Sequence, residues 1–278
     1  MYKVFQFTIN PPDPGSEIVM ALLEESPFES FELTSTGLLA YIKKEDCKEL
    51  NLPNFNEFPF KVQYSSTDIE DQNWNAEWEA NLQPVSIDQV YLHAYFQKPN
   101  TSFRYNICIT PKMSFGTGHH PTTRLMCQFI QQLSEPPKKV WDIGTGTGVL
   151  AILSEKMGAN EVDATDTDAW SLKNAEENLE TNYCQHIQLH ESVDFTPKKN
   201  SKDLIVANIN KNILKTYAFE CSETLVNKGI LIISGFFETD VEDLIKYMET
   251  YNLKYKTELV ENEWAALLFI KLDGSCVA

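Results

Sequence analysis

Apolar and polar residues change period several times along this chain of 278 residues, and each change marks an element. Residues 2 to 9 alternate closely enough for a strand, which Pro11-Pro12-Asp13-Pro14-Gly15 stops. Ser16 is placed to cap a short helix carrying Ile18, Val19, Leu22 and Leu23. Phe31 to Thr34 and Leu38 to Ile42, separated by Ser35-Thr36-Gly37, read as a hairpin. A short helix around Glu45 to Leu50 and a strand around Phe60 to Tyr64 complete a βαββαβ pattern, the ferredoxin-like arrangement, over residues 1–67. No catalytic pattern falls in it; it reads either as a module that docks a substrate or as a packing appendage. Asp68 to Leu82 then sets Trp74, Trp78 and Leu82 on one helical face, a linker helix over 68–84. Its tryptophans serve as anchors between domains or simply as a core face.

The remainder, 85–278, alternates strand and helix. Strand patterns at Val90 to Phe96 and Tyr105 to Thr110 flank the turn Lys98-Pro99-Asn100. An irregular Gly- and His-rich loop follows, and Thr122 or Thr123 opens a helix through Leu125, Met126, Phe129 and Leu133. Further strands are expected at Val140 to Ile143, Glu161 to Thr165, Ile187 to Leu189, Asp203 to Ala207 and Gly229 to Gly235. Asp203 to Ala207 is almost continuously apolar, as a parallel strand covered on both faces should be. Helices are expected after Gly148, from Asp168 to about Asn182, from Ile213 to Leu225 with Asn227-Lys228-Gly229 as its stop, and near Val241 to Glu249. A terminal hairpin at Leu253 to Leu259 and Trp264 to Leu272 would complete seven strands of an α/β sheet.

Chemistry concentrates at Val140 to Gly148, VWDIGTGTG. Buried strand, glycine loop and apolar helix follow one another, so bare backbone and free helix N–H groups face one crevice. Asp166 ends the next strand about twenty residues on, where a doubly wound fold sets an acid against a ribose diol. The two features together point to a nucleotide-type ligand rather than a structural turn. The loop is not G-x-G-x-x-G, and no Gly-Lys-Ser/Thr makes a P-loop.

Composition narrows the classes. A net charge of −17 argues against a phosphate-binding surface and suits a basic protein partner, or merely keeps the chain soluble. The six cysteines form no C-x-x-C pair and read as reduced thiols. The five histidines lack ligand spacing, so no metal is expected. No basic leader or long apolar run occurs, so a cytoplasmic protein without membrane contact is expected.

MSFGTGHHPTT at 113–123, DIGTGTG at 142–148, DTD at 166–168 and VANIN at 206–210 together resemble the ribosomal protein L-eleven methyltransferase (PrmA) family of class I S-adenosylmethionine-dependent methyltransferases. Glycine loops of the DxGxG kind are widespread in that class; the FGTG-x-HPTT segment is the specific one. The resemblance spans nearly the whole chain. It implies a Rossmann-like seven-stranded catalytic domain behind a small ferredoxin-like one. It also implies S-adenosylmethionine as donor, S-adenosylhomocysteine as product, and lysine ε-amines and the N-terminal α-amine of a large-subunit ribosomal protein as acceptors. On matching positions, Thr123, Gly144, Asp166 and Asn208 become cofactor contacts, with Gly146 in the same loop and Phe115 placing its ring over sulfonium or adenine. Asn208 can also hold the incoming amine, and His120 or His119 can take its proton or simply hold the loop. No N-P-P-Y segment follows Ala207, which disfavours an amide nitrogen as acceptor. Lysine of another protein, or cofactor binding without turnover, are the alternatives.

Overall fold

Phe5, Phe7 and Ile9 alternate with Gln6 and Thr8, and the chain answers with an extended strand, β1 (Tyr2–Asn10), in which these three side chains are buried. The structure, a computed structural model, describes residues 2–23, 26–48, 50–55, 58, 60–69, 82–110, 112, 114–192 and 195–272. Two units result, Met1–Leu82 and Gln83–Ala278.

In the first unit, β1 is followed by α1 (Pro12–Leu23), β2 (Ser30–Thr34), β3 (Gly37–Lys43) and β4 (Lys61–Ile69). The sheet order is β2-β3-β1-β4, and every pairing is antiparallel. Phe7, Val19, Leu23, Leu38 and Ile42 fill its core. Three expectations need correction. Ser16 is a buried residue inside α1 rather than its cap: Asp13 is extended (φ −111°, ψ 123°), so the regular helix starts at Pro14, where a missing N–H costs nothing. The helix expected at 45–50 is a single 3-10 turn, Asp46–Lys48. Asp68 belongs to β4, paired with Lys3 (3.5 Å) and Lys44 (3.0 Å), and does not begin a helix. The tryptophan-bearing stretch 70–81 lies outside the described residues.

The second unit opens with a small sheet, β5 (Val85–Ile87), β6 (Val90–His93) and β7 (Tyr105–Cys108), in that order. Then come α2 (Pro121–Gln131), β8 (Lys139–Ile143), α3 (Val149–Met157), β9 (Glu161–Asp166), α4 (Ala169–Thr181), β10 (Ile187–Glu191), β11 (Lys202–Asn208), α5 (Lys211–Thr224), β12 (Leu225–Phe237), α6 (Val241–Glu249), β13 (Leu253–Glu261) and β14 (Trp264–Lys271). The seven-stranded sheet runs β10-β9-β8-β11-β12-β14-β13. Its first five strands are parallel, and the terminal hairpin closes it antiparallel. Alternate residues feed opposite layers: Val140 and Val206 pack with α2 and α3, while Trp141, Ile143 and Ile205 pack with α5 and α6. The order reverses between β8 and β11, which opens a crevice at their carboxyl ends. Asn227-Lys228-Gly229 is no helix stop: it lies within β12, where the register against β11 shifts.

One face of α4 holds the small sheet to the large one, and periodicity gave no hint of it. Asn182 pairs through both amide atoms with the backbone of Cys108, accepting its N–H (3.0 Å) and donating to its carbonyl (2.7 Å). One turn back, fully buried Asn178 accepts the Thr110 N–H and donates to the Thr147 carbonyl, both at 2.8 Å. Replacing Asn178 by Ala leaves two buried backbone groups unpaired, so the variant should lose roughly 2–4 kcal/mol of stability by urea titration. A loss under about 0.5 kcal/mol would show that the amide is dispensable.

Candidate active site

Beyond Ile143 the backbone must turn sharply, and Gly144, Gly146 and Gly148 take φ of +71°, +54° and +82°, a region that side chains disfavour. A β-carbon on Gly146 would stand 2.4 Å from the Phe115 carbonyl oxygen, and one on Gly144 2.3 Å from Ile209 Cγ2. Only bare backbone fits. The loop is pinned from below by the Thr165 carbonyl, which accepts the N–H groups of Gly144 (2.8 Å) and Thr145 (3.0 Å). From above, Thr147 donates its N–H to the Phe115 carbonyl (2.9 Å) and its hydroxyl to that of Gly116 (2.8 Å). The two glycine-bearing loops, separate in sequence, are thus one structure.

Asp166 ends β9 with its carboxylate aimed at this loop. Oδ2 accepts the Gly146 N–H at 2.9 Å and Oδ1 the Asp168 N–H at 3.0 Å. Each oxygen keeps further acceptor capacity. Beside it lies a cavity of about 370 Å³ whose wall includes Phe115, Gly144, Gly146, Asp166 and Asn208. Five of the expected site residues therefore share one cleft, at the place where the strand order reverses. Ile213 and Tyr217 line it too. Sequence reading missed them, although their i, i+4 spacing on the helix after Asn210 was the available signal.

Thr123 and His120 do not line this cavity. Thr123 is buried in the first turn of α2, and its hydroxyl has no partner among the described residues. His120, rather than a threonine, caps that helix: its Nδ1 accepts the Thr122 N–H (3.3 Å) and lies 2.8 Å from the Thr122 hydroxyl. Burial, with the nearby Arg124 charge, lowers its pKa. His119 instead holds the loop, with Nε2 3.0 Å from the Gln83 carbonyl. Asn208 Oδ1 is buried with no partner among the described residues, so it is free to accept from a ligand's donor. A larger recess, about 680 Å³, opens at the amino ends of the strands. Its buried Lys202 is matched by Glu161 (2.9 Å) and Asp163 (2.6 Å), and it has no glycine loop.

Residues 16–271 match the family described as Ribosomal protein L11 methyltransferase (PrmA). The chain belongs to this methyltransferase family. A protein of Bacteroides thetaiotaomicron named Ribosomal protein L11 methyltransferase is 34% identical, with 96% of this chain and 99% of that protein aligned. One of the same name from Porphyromonas gingivalis is 37% identical over 95% of each chain. Among solved structures, a ribosomal protein L11 methylase from Lactobacillus delbrueckii subsp. bulgaricus superposes with a TM-score of 0.62 at 27% identity, covering 69% of this chain and all of that one. The family fold is that of the class I methyltransferases, which use S-adenosylmethionine as methyl donor.

Asp142, the acid that precedes the glycine loop, is 1% exposed. Burial pushes its pKa up to about 7, and the Asp166 charge adds to the rise, against the hydrogen bond that Thr145 donates to Oδ2 at 2.7 Å. A carboxyl raised from about 3.9 to about 7 binds its proton more tightly folded than unfolded. Its contribution therefore favours the fold least above about pH 7 and is neutral below about pH 4. Asp142→Asn removes this penalty. The variant should gain on the native protein by up to about 4 kcal/mol between pH 4 and pH 8 in urea titrations. A stability difference that does not change with pH would refute it.

Proposed function

We propose that this protein transfers the methyl group of S-adenosylmethionine to amines of ribosomal protein L11, on lysine side chains and the N-terminus. The observation that carries the reading is the gathering of Phe115, Gly144, Gly146, Asp166 and Asn208 around one cavity, in a chain whose relatives bear that name. The residues suit the cofactor. A backbone cradle that a β-carbon would fill, a carboxylate held by two amides and an orphaned amide oxygen offer room, diol acceptors and a polar end. When bound, S-adenosylmethionine supplies an electrophilic methyl carbon on a sulfonium and departs as S-adenosylhomocysteine.

The chain's own residues then have defined parts. Asp166 would accept ribose hydroxyls, and Gly144 and Gly146 would let the ligand lie against backbone. Phe115 would offer its ring face to positive charge. Asn208 Oδ1 would accept a hydrogen from the incoming amine and so orient its lone pair. That amine must first lose a proton, and His120, whose ring lies 5.1 Å from that of Phe115 on the cavity wall, would be the group to take it. We read the amino-terminal unit, about residues 1–67, as a ferredoxin-like module that docks the substrate, joined through 68–84 to a catalytic domain over 85–278. Its antiparallel β2-β3-β1-β4 sheet supports this, although a 3-10 turn stands in place of the second helix. The cytoplasm, where ribosomal proteins are made, is the expected compartment, and among the described residues no helix is long and apolar enough to cross a membrane. The acidic charge favours a protein over a nucleic acid as partner. The relatives' names favour neither another lysine substrate nor a scaffold without turnover.

Calorimetric titration with S-adenosylmethionine should show saturable binding, weakened about 5- to 150-fold by Asp166→Ala, the equivalent of 1–3 kcal/mol for a buried acceptor. If the native protein binds none, methyl transfer is ruled out. Incubation with labelled cofactor and purified large-subunit proteins should label L11. Label on a different protein alone would keep the chemistry and remove the substrate.

A further inference from the structure

The cavity has an aromatic approach on one side. Phe115 on its wall lies 5.1 Å from the His120 ring, His120 lies 4.6 Å from Trp264, and Trp264 lies 4.3 Å from Phe237, centroid to centroid. Four rings from three separate segments thus make a continuous row. Its ends are open to solvent, with Phe115 50% and Phe237 47% exposed. Exposed aromatic surface of this kind is costly to leave against water and is commonly a recognition surface.

The far end of the row carries charge. Phe237 and Trp264 are cross-strand partners, and the next pair of residues outward, Glu238 and Glu263, is joined by a backbone hydrogen bond of 2.8 Å. Both glutamates are exposed, and neither makes an ion pair among the described residues. By contrast Glu261, two residues earlier on the hairpin, is taken by Arg124. Aromatic faces with free carboxylates at one end match a cation on an apolar stem, such as lysine offers. At the inner end the row reaches the cavity lined by Asn208, whose Oδ1 is buried with no partner among the described residues.

We propose that the Phe115–His120–Trp264–Phe237 row, ending in Glu238 and Glu263, is the track along which a basic segment of the protein substrate lies while presenting its acceptor amine. The rings hold the aliphatic stems and the two glutamates hold a flanking cation. The proposal rests on the amine-methylating reading for its occupant, and its test does not depend on turnover. Charge complementarity selects a basic peptide: the chain carries a net −17.

The probe is a short fluorescein-labelled peptide of alternating lysine and alanine, with a glutamine-for-lysine counterpart, titrated against the full chain and read by fluorescence anisotropy. At low salt the native protein should bind the lysine peptide and not the glutamine one. The double variant Glu238→Gln, Glu263→Gln should weaken binding about fivefold, the effect of two exposed ion pairs. At about 1 M salt, where screening acts within roughly 3 Å, the native and double-variant proteins should differ less than about twofold. Trp264→Leu should weaken binding at both salt concentrations. Equal binding of the two peptides, or a double variant as tight as the native protein at low salt, would overturn the track. Failure of methyl transfer with salt-sensitive peptide binding intact would instead count against the activity and leave the track standing. Calorimetry with S-adenosylmethionine checks that each variant keeps its cofactor site, and a variant that loses both is replaced by Trp264→Phe, which should retain most of the peptide affinity if ring surface is what the peptide uses.

Discussion

The hydrogen bond from the Gly146 amide to the Asp166 carboxylate joins the ends of two neighbouring parallel strands, and the rest of the site is arranged around it. It exists because the loop after β8 folds back through left-handed backbone, which turns its amides toward the crevice instead of into a ladder. Thr147 then draws the Phe115 loop onto the same backbone, so the aromatic wall of the cavity is positioned by a residue that does not line it. A side chain at Gly146 would meet the Phe115 carbonyl and separate the two loops. The motif's glycines therefore matter for packing loop on loop as well as for admitting a ligand.

Around this centre the structure retains polar groups that an apolar core would not. Among the described residues, Asp142 has one buried oxygen without a partner, Thr123 a hydroxyl and Asn208 an amide oxygen. Buried acceptors and donors of this kind cost stability unless a partner is supplied, and of these three Asn208 stands on the cavity wall, where a polar ligand could supply it. Asn178 and Asn182 are the contrasting case, since their amides are fully used in holding β7 and the Thr147 carbonyl. Paired amides of this kind fix the scaffold, whereas Asn208 stands on the cavity wall.

The terminal hairpin serves both the fold and the approach to the site. Its outer strands complete the sheet, while its turn end carries Trp264 against His120 and Phe237. His120 is simultaneously a helix cap and a ring in that row, which couples the start of α2 to the rim of the cavity.

Much of this was legible along the chain. The seven strands, the glycine loop and the acid twenty residues beyond it follow from local period and spacing, because burial on two faces and positive φ each demand particular residue types. The same local rules failed where two structures suit one composition: the proline cluster after β1 could end a strand or begin a helix, and Asn227-Lys228-Gly229 could stop a helix or bulge a strand. What only the tertiary structure decided is which distant residues meet. Thr147 with the Phe115 loop, Asn182 with Cys108, and the row from Phe115 to Phe237 are contacts between segments far apart in sequence, and no periodicity within a segment encodes a partner in another. For the same reason Thr123 and His120, grouped with the cavity residues by their motif, stand in and at the cap of α2 rather than on the cavity wall. A motif specifies residue types and spacing, whereas the direction of each side chain is set by the helix or strand that carries it and by what packs against it.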